Sequence, residues 1–546
     1  MPGGGQLPLV AYGNQNRIVS GNPEMTYFYK VFRRYTHFSQ ESITIPVDGP
    51  QELRPDKTVR VRAKLPRHAD LMTDLTLVLQ LPEIYSKVYE QAALQQYPSF
   101  RWIHMIGAFM IANVSIIVGG TKVQEFPGEW LAIRATADMP LDKYLKWRSM
   151  VGDVPEMHSP EWGVYGKSPS YPFQKGEYPH ASVDPSGNQV APSIVGRELR
   201  IPLPFWFTEG IGAALPLVSL QLHEVEVQID FRPLTDLFRL MDEENSAEPV
   251  RPDMMLEIDP AKPTQVDPTV APPPYDNLTL QNDYAAAQNP CYSLRTFLAP
   301  PDVSDNLVRD TFPTNVHLEA NYIYLTDKER IIFAERELSH LVMQVQRFRY
   351  PSIRGRSQLD MDIHGLAHRI IFFGRRSDAL SARNDYINLS NWKSLAQAPY
   401  WPLAAGGGVP NSGRAIQYYN AKHILRSARV LMAGNEIFEE KPVGYFELQT
   451  PFTSLAGSGS TGLHPGAIKP DDIMGPLYHI PFALNASDHE QPSGSLNTSM
   501  VREIQLEVNP APLDPASPYT YDFTVYVETL NTVKFINGMA SLAFAI

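Results

Sequence analysis

The feature that most constrains this chain is a hydrophobic period of two, held over short segments and broken repeatedly by proline and glycine. In Thr58–Lys64, Val59, Val61 and Ala63 share one side of an extended backbone, opposite Arg60, Arg62 and Lys64. Leu75, Leu77 and Leu79 repeat in Asp74–Gln80, and Val225, Val227 and Ile229 alternate with Glu224, Glu226 and Gln228. Successive side chains of a strand point to opposite faces, so each segment can close a core on one side and meet solvent or a partner on the other. Glu319–Leu325, Leu341–Gln346, Arg369–Phe373, Tyr445–Gln449, Arg502–Val508 and Tyr521–Thr529 are further strand candidates. Gly119-Gly120-Thr121 separates Ile116–Val118 from Lys122–Gln124 and marks a hairpin, because glycine reaches the positive φ of tight turns.

These segments fall into two sets. The first includes Leu199–Phe207, whose Pro202 and Pro204 suit an edge strand or a bulged entry to one, and ends near residue 235, just after His223–Ile229. Residues 240–310 carry Pro260, Pro263, Pro268 and Pro272-Pro273-Pro274, a poor substrate for a continuous sheet, and are expected to form a linker with an inserted loop. The second set opens with Glu319–Leu325, followed by a helix over Arg330–Glu337 that Thr326 and Glu329 would cap reciprocally. Gly406-Gly407-Gly408 and Leu455–Gly466 read as long loops. At 546 residues the chain exceeds one ordinary core. The expected fold is all-β: two consecutive antiparallel jelly-roll β-sandwich domains with long loops and short helices. The divisions are 1–38 as an N-terminal segment, 39–235 as the first sandwich, 236–315 as linker and insert, and 316–546 as the second.

Composition excludes several functions. Hydrophobic residues make up 43%, which argues against disorder. The net charge of -12 excludes a chain-wide basic surface for nucleic acid. A local set, Arg347, Arg349, Arg354 and Arg356 with Arg375 and Arg376, reads as loop or inter-subunit arginines rather than a genome-binding patch. The single cysteine, Cys291, cannot form an intrachain disulfide and is expected to be reduced. The opening Met-Pro-Gly-Gly-Gly-Gln has no secretory character, and Ile106–Val118 is too short for a bilayer span, so a soluble, cytoplasmically made protein is expected.

Familiar catalytic patterns are missing: no His-Glu-x-x-His, no phosphate-binding Gly-x-x-x-x-Gly-Lys-Ser/Thr, no Gly-x-Ser-x-Gly. Asp360, Asp362 and His364, with His368 nearby, have the two-residue spacing that puts metal ligands on one strand face, but an alternating polar face is also ordinary for a half-buried strand. His223-Glu224 invites an acid–base reading, yet Glu224 and Glu226 belong to the outward face of a strand. The aromatic groups Phe205-Trp206-Phe207, Tyr322 and Tyr324, Phe348 and Tyr350, and Trp392 and Trp401 suit cores and interfaces. Asn113, Asn277, Asn388, Asn485 and Asn497 begin Asn-x-Ser/Thr patterns, without a secretory route that would use them. No catalytic, cofactor-binding or metal residue is therefore assigned.

Several segments together resemble the major capsid proteins of nucleocytoplasmic large DNA viruses. They are Leu9–Gly13, Gly21–Phe28 and Phe32–Phe38; then Ile201–Phe207, Ala214–Leu217 and Leu220–Val225. Asn321–Leu325, Glu329-Arg330 and Phe333-Ala334 continue the series, followed by Phe482–Leu484, Glu490–Asn497, Asn531–Phe535 and Gly538–Ala543. Their order over nearly the whole chain carries the resemblance. It implies two jelly rolls, a homotrimer with a pseudo-hexagonal footprint, and an icosahedral shell tiled by such trimers. Residues through Phe38 would lie near the inner base, and the loops would form outer towers. Implied partners are further copies, neighbouring capsomers, minor capsid and penton proteins, and membrane-associated shell proteins; no cofactor, specific nucleic-acid binding or enzymatic activity is implied. The insertion at 240–310 and the glycine-rich stretches near 401–415 and 455–466 depart from the family's compact pattern. The competing readings are a minor double-jelly-roll shell component and, from a different class, a carbohydrate-binding protein or glycosidase.

Overall fold

The computed structural model describes residues 3–91, 94–96, 98–163, 177–183, 190–242, 249–254, 293–393, 423–455, 457, 474–501 and 503–544. Residues Met1–Ser39 form one compact unit and Gln40–Ile546 the other. Among the described residues, no helix is long and apolar enough to cross a membrane.

The larger unit contains two sandwiches built to one plan. The first comprises β1 (Phe38–Pro46), β2 (Val59–Lys64), β3 (Leu71–Leu81), β4 (Ile111–Val118), β5 (Thr121–Phe126), β6 (Arg197–Pro202), β7 (Val225–Phe231) and β8 (His317–Leu325). Its sheets run β1-β8-β3-β6 and β2-β7-β4-β5. The second comprises β9 (Leu338–Ile353), β10 (Ser357–Met361), β11 (Leu366–Arg376), β12 (Leu425–Met432), β13 (Asn435–Pro442), β14 (Tyr478–Pro481), β15 (Ile504–Pro510) and β16 (Tyr521–Ile536). Its sheets run β9-β16-β11-β14 and β10-β15-β12-β13, the same order with every number raised by eight. In each, the last strand lies between the first and the third, the signature of a jelly roll.

The period of two does what the sequence requires of it. On β2, Val59, Val61 and Ala63 are buried while the arginines and Lys64 face out, and β7 buries Val225, Val227, Ile229 and Phe231. Gly119 (φ 57°) and Gly120 (φ 82°) form the two-residue turn between β4 and β5, the conformation matching the twist of the flanking strands. β6 pairs only with β3 and is an edge strand, with Pro202 at its end.

Three expectations need correction. Glu319–Leu325 does not open the second sandwich; as β8 it pairs with β3 from His317↔Val78 to Ile323↔Leu71 and completes the first. Residues 236–315 therefore connect β7 to β8 within the first roll, and the second begins only at β9. Local periodicity carries no information about a partner strand more than two hundred residues away. The true link is a short helix over Asp327–Glu335, where Thr326 is the N-cap but makes no side-chain cap bond. Finally, Tyr445–Gln449 is a π-helical turn running into the helix Thr450–Ser454. It buries Phe446, and the Thr450 hydroxyl donates to the carbonyls of Phe446 and His479. Five apolar-rich residues fit one helical turn as readily as a strand, and tertiary contacts decide.

Between β5 and β6 lie α1 (Gly128–Asp138) and α2 (Leu141–Met150). α1 is buried along most of its length because its first turn sits against backbone: a Cβ on Gly128 would lie 2.0 Å from the Ala108 carbonyl oxygen and 2.4 Å from that of Ile111. Gly128→Ala is accordingly expected to destabilise the fold by about 3 kcal/mol or more, since backbone cannot yield as a side chain can. Thermal unfolding should register this as a clear fall in midpoint.

Candidate functional site at the joint of the two sandwiches

The described polar chemistry concentrates where the rolls meet. Edge strand β5 approaches β9, and two buried amides sew them together: Gln124 Nε2 donates to the Met343 carbonyl (2.8 Å) and Gln344 Nε2 to the Val123 carbonyl (2.8 Å). Each amide oxygen is also used, Gln124 Oε1 accepting from the Trp206 N–H and Gln344 Oε1 from Asn531 Nδ2. One buried backbone carbonyl on each of the two strands thereby gains a donor from across the joint.

Beside this seam α1 presents Glu129, Arg134 and Asp138 to the second roll. Arg369 on β11, with 1% of its side chain exposed, binds both Asp138 oxygens at 2.6 Å and Glu528 of β16 at 2.6 and 3.0 Å. At the other end of the helix, in its first turn, Glu129 accepts from Arg375 (2.8 Å) and from the Tyr526 hydroxyl (2.7 Å), while the Trp130 and Tyr526 rings meet at 5.2 Å. Burial pulls the carboxyls of Asp138, Glu528 and Glu129 upward, but the adjacent arginines outweigh it; all three are lowered, Glu129 to about 2. Arg369 is raised by the same carboxylates against the effect of its burial.

An open groove of about 820 Å³ lies over this joint, lined by α1, Pro202–Pro204, Glu209 and the loop through Asn485–Glu490. That loop reaches from the second roll onto the first. Ser487 donates to Asp138 (2.9 Å), and Arg134 Nη2 lies 3.2 Å from His489 Nδ1 while its other nitrogen binds Glu209 at 2.6 Å. Carboxylates held below their ordinary range by paired arginines remain ionised at neutral pH, so Asp138 and Glu528 cannot serve as proton donors. The arrangement holds two domains together; it does not present a free acid–base pair.

The residues singled out in the sequence do not converge here. Asp360 accepts from Gln505 (2.7 Å) on β15, whereas Asp362 and His364 lie beyond β10 on the surface, 3.7 Å apart, and His368 is buried with Nδ1 3.2 Å from the Gly494 carbonyl. His223 packs on the Gly119 turn and its Nδ1 accepts the Ala540 N–H; Glu224 pairs with Lys64 on the surface. Phe205, Trp206, Phe207 and Tyr322 are core residues. Asn388 is buried, Asn113 is bonded to Glu125, and Asn485 and Asn497 are exposed. Cys291, Asn277 and Trp401 lie outside the described residues. Sequence reading missed one cluster, His104, Asp153 and His158, whose ligand atoms lie within 4.8 Å of one another. Asp153 also binds Arg148 (2.5 Å) and accepts the Met105 N–H, supporting a left-handed residue (φ 49°), and the two imidazole rings lie 3.8 Å apart with their planes tilted by 31°. A guanidinium already occupies the shared carboxylate, and the cluster ties the His104 segment to the turn that carries Asp153 and His158. Its members are spread over fifty-odd positions with no motif spacing, so only the fold could reveal it.

Two outcomes follow for stability. Arg369→Met strands two buried carboxylates and should cost about 3–5 kcal/mol. Adding Asp138→Asn and Glu528→Gln should recover much of that loss, which thermal unfolding of the single and triple variants would measure. His479 is buried beside Arg369 and held near pKa 3 by desolvation and that arginine. An unfolded histidine protonates near its ordinary value of about 6.5, so stability is full above about pH 6.5 and falls, by up to ~1.4 kcal/mol per pH unit, as pH drops toward 3. His479→Leu should flatten the pH dependence of the unfolding midpoint between about pH 6.5 and 4.5.

A family model for the major capsid protein N-terminus matches residues 26–266. The chain is similar to the major capsid protein of Pyramimonas orientalis virus, 28% identical over 100% of both chains. It is also similar to that of Chrysochromulina ericina virus, 24% identical over 100% of both, and to probable capsid protein 4 of Acanthamoeba polyphaga mimivirus, 22% identical over 99% of both. Among solved structures, PBCV-1 VP54 aligns with a TM-score of 0.58 at 17% identity, covering 95% of this chain and 100% of that one. The Faustovirus major capsid protein aligns at 0.55 and 13% identity, covering 93% and 92%. The order of strands and the end-to-end likeness agree: this chain is a double jelly-roll relative of the major capsid proteins of nucleocytoplasmic large DNA viruses.

Proposed function

We propose that the chain is a structural subunit of an icosahedral viral capsid, that it assembles as a homotrimer, and that it performs no catalysis. The observation that carries this reading is the repeat of one strand order in two rolls fixed to each other by a buried joint. Two similar blocks per chain become six in a trimer, so a three-fold particle acquires a roughly six-sided outline that can tile a surface. A rigid joint is what such a tile needs, because a flexing pair of domains would blur every contact it repeats.

The absence of an activity fits the groove, where Asp138, Glu209 and Glu528 are all engaged by arginines or His489. We place the finished particle's copies in the virion shell, with assembly in the host cytoplasm. Neighbouring trimers, minor capsid and penton proteins, and shell proteins associated with an underlying membrane are the expected contacts. Residues 1–38 are assigned to the inner base: Leu9, Val10, Ile18, Val19, Tyr27 and Phe28 are all exposed and offer an assembly apolar area to cover.

Light scattering coupled to size separation tests the reading. A particle of three times the 61.3 kDa chain mass is expected. A well-folded species that stays monomeric across concentration and salt would count against it.

A further inference from the structure

On the second roll, Arg347 is paired directly with Tyr526 and Arg349 with Thr524, while Asp522 is paired with Arg375. Directly paired residues share a face of a sheet, so Arg347, Arg349 and Arg375 form a row on the face where Tyr526 meets α1. Arg232, at the end of β7 on the first roll, adds a fourth guanidinium, set over the Tyr386 ring at 5.2 Å. Carboxylates that stand near this row are already committed. Glu129 accepts from Arg375 and Tyr526, and Asp522 accepts the Ser352 N–H at 2.9 Å.

Arg375 is thus ion-paired, although its own Nε–H is buried without an acceptor, whereas among the described residues Arg232, Arg347 and Arg349 have no ion-pair partner. Arg347 and Arg349 are exposed at the rim, and the Arg232 Nε–H is buried without an acceptor. Partial desolvation and the adjacent Arg347 hold Arg349 below the ordinary arginine range against the pull of Glu129 and Tyr526, with Arg232 adding to the lowering. Three guanidiniums crowded together in this way are stabilised by an incoming anion, and their planar donors suit carboxylate.

We propose that the row of Arg232, Arg347 and Arg349 docks an acidic segment of a second copy of this chain. The inference rests on the self-assembly reading above. A chain with 59 acidic against 47 basic residues offers every neighbour an excess of carboxylates. Nucleic acid fits less well, because phosphate binding calls for a broad basic stripe, and the chain's net charge of -12 repels a polyanion at long range. A short-range carboxylate contact escapes that repulsion through local pairing.

The test is the Arg347→Glu/Arg349→Glu protein beside wild type, by light scattering across concentration, with circular dichroism and thermal midpoint as controls for folding. The expected result is a trimer weakened roughly tenfold or more at an unchanged fold, with Arg347→Lys/Arg349→Lys retaining association. Should charge reversal prevent folding, Arg347→Gln/Arg349→Gln reads the same contact and is expected to weaken the trimer in the same direction. An unaltered trimer in the folded variant overturns the proposal but leaves self-assembly standing, as does an unaltered trimer that has lost binding to a short DNA duplex. A wild-type protein that is itself monomeric overturns self-assembly instead.

Discussion

Arg369 spans three elements that lie far apart in sequence: it sits on β11, grips Glu528 on β16 in its own sheet, and reaches Asp138 at the end of α1 in the other roll. A fully buried guanidinium has five donors to satisfy and no water to do it, so the site tolerates little displacement. With the reciprocal amides of Gln124 and Gln344, it converts two sandwiches into one body. Salt bridges buried in this way are weak arguments for stability but strong constraints on geometry, because any other packing would leave a charge unpaired.

The fold's long connections follow from the same logic. A jelly roll inserts its last strand between its first and third, so the chain must return across the sandwich after β7. In the first roll that return is residues 232–316; in the second, β15 and β16 are separated by only 511–520. The connection between β5 and β6 is also expanded in the first roll, and its helix α1 is the element that carries Glu129, Arg134 and Asp138 to the joint. Unequal insertions into equal frameworks thus give the two rolls different surfaces without changing their strand order.

Much of this was legible in the sequence. The alternation in β2 and β7, the glycine hairpin, the edge character of β6 and the all-β class all rest on local chemistry, and local chemistry is what a sequence displays. The division between the rolls was not legible, because β8 looks alone like any amphipathic strand and its partner β3 lies far upstream. Tyr445–Gln449 failed for a related reason: a buried Phe446 serves a helical turn and a strand equally. The joint itself had no sequence signature. Asp138, Arg369 and Glu528 are ordinary charged residues until the fold brings them together, whereas the segment Glu490–Asn497, conspicuous for its resemblance to the capsid family, continues the loop whose Ser487 and His489 fasten onto α1.

The joint makes each chain one pair of rolls, and under the proposed function three chains make one tile. Single-particle electron microscopy of the purified protein tests this most directly. Three-fold particles with six similar lobes are expected, each chain holding Arg369 between Asp138 and Glu528. Particles in which the two rolls of a chain take up variable orientations, or in which copies associate without three-fold symmetry, would contradict it.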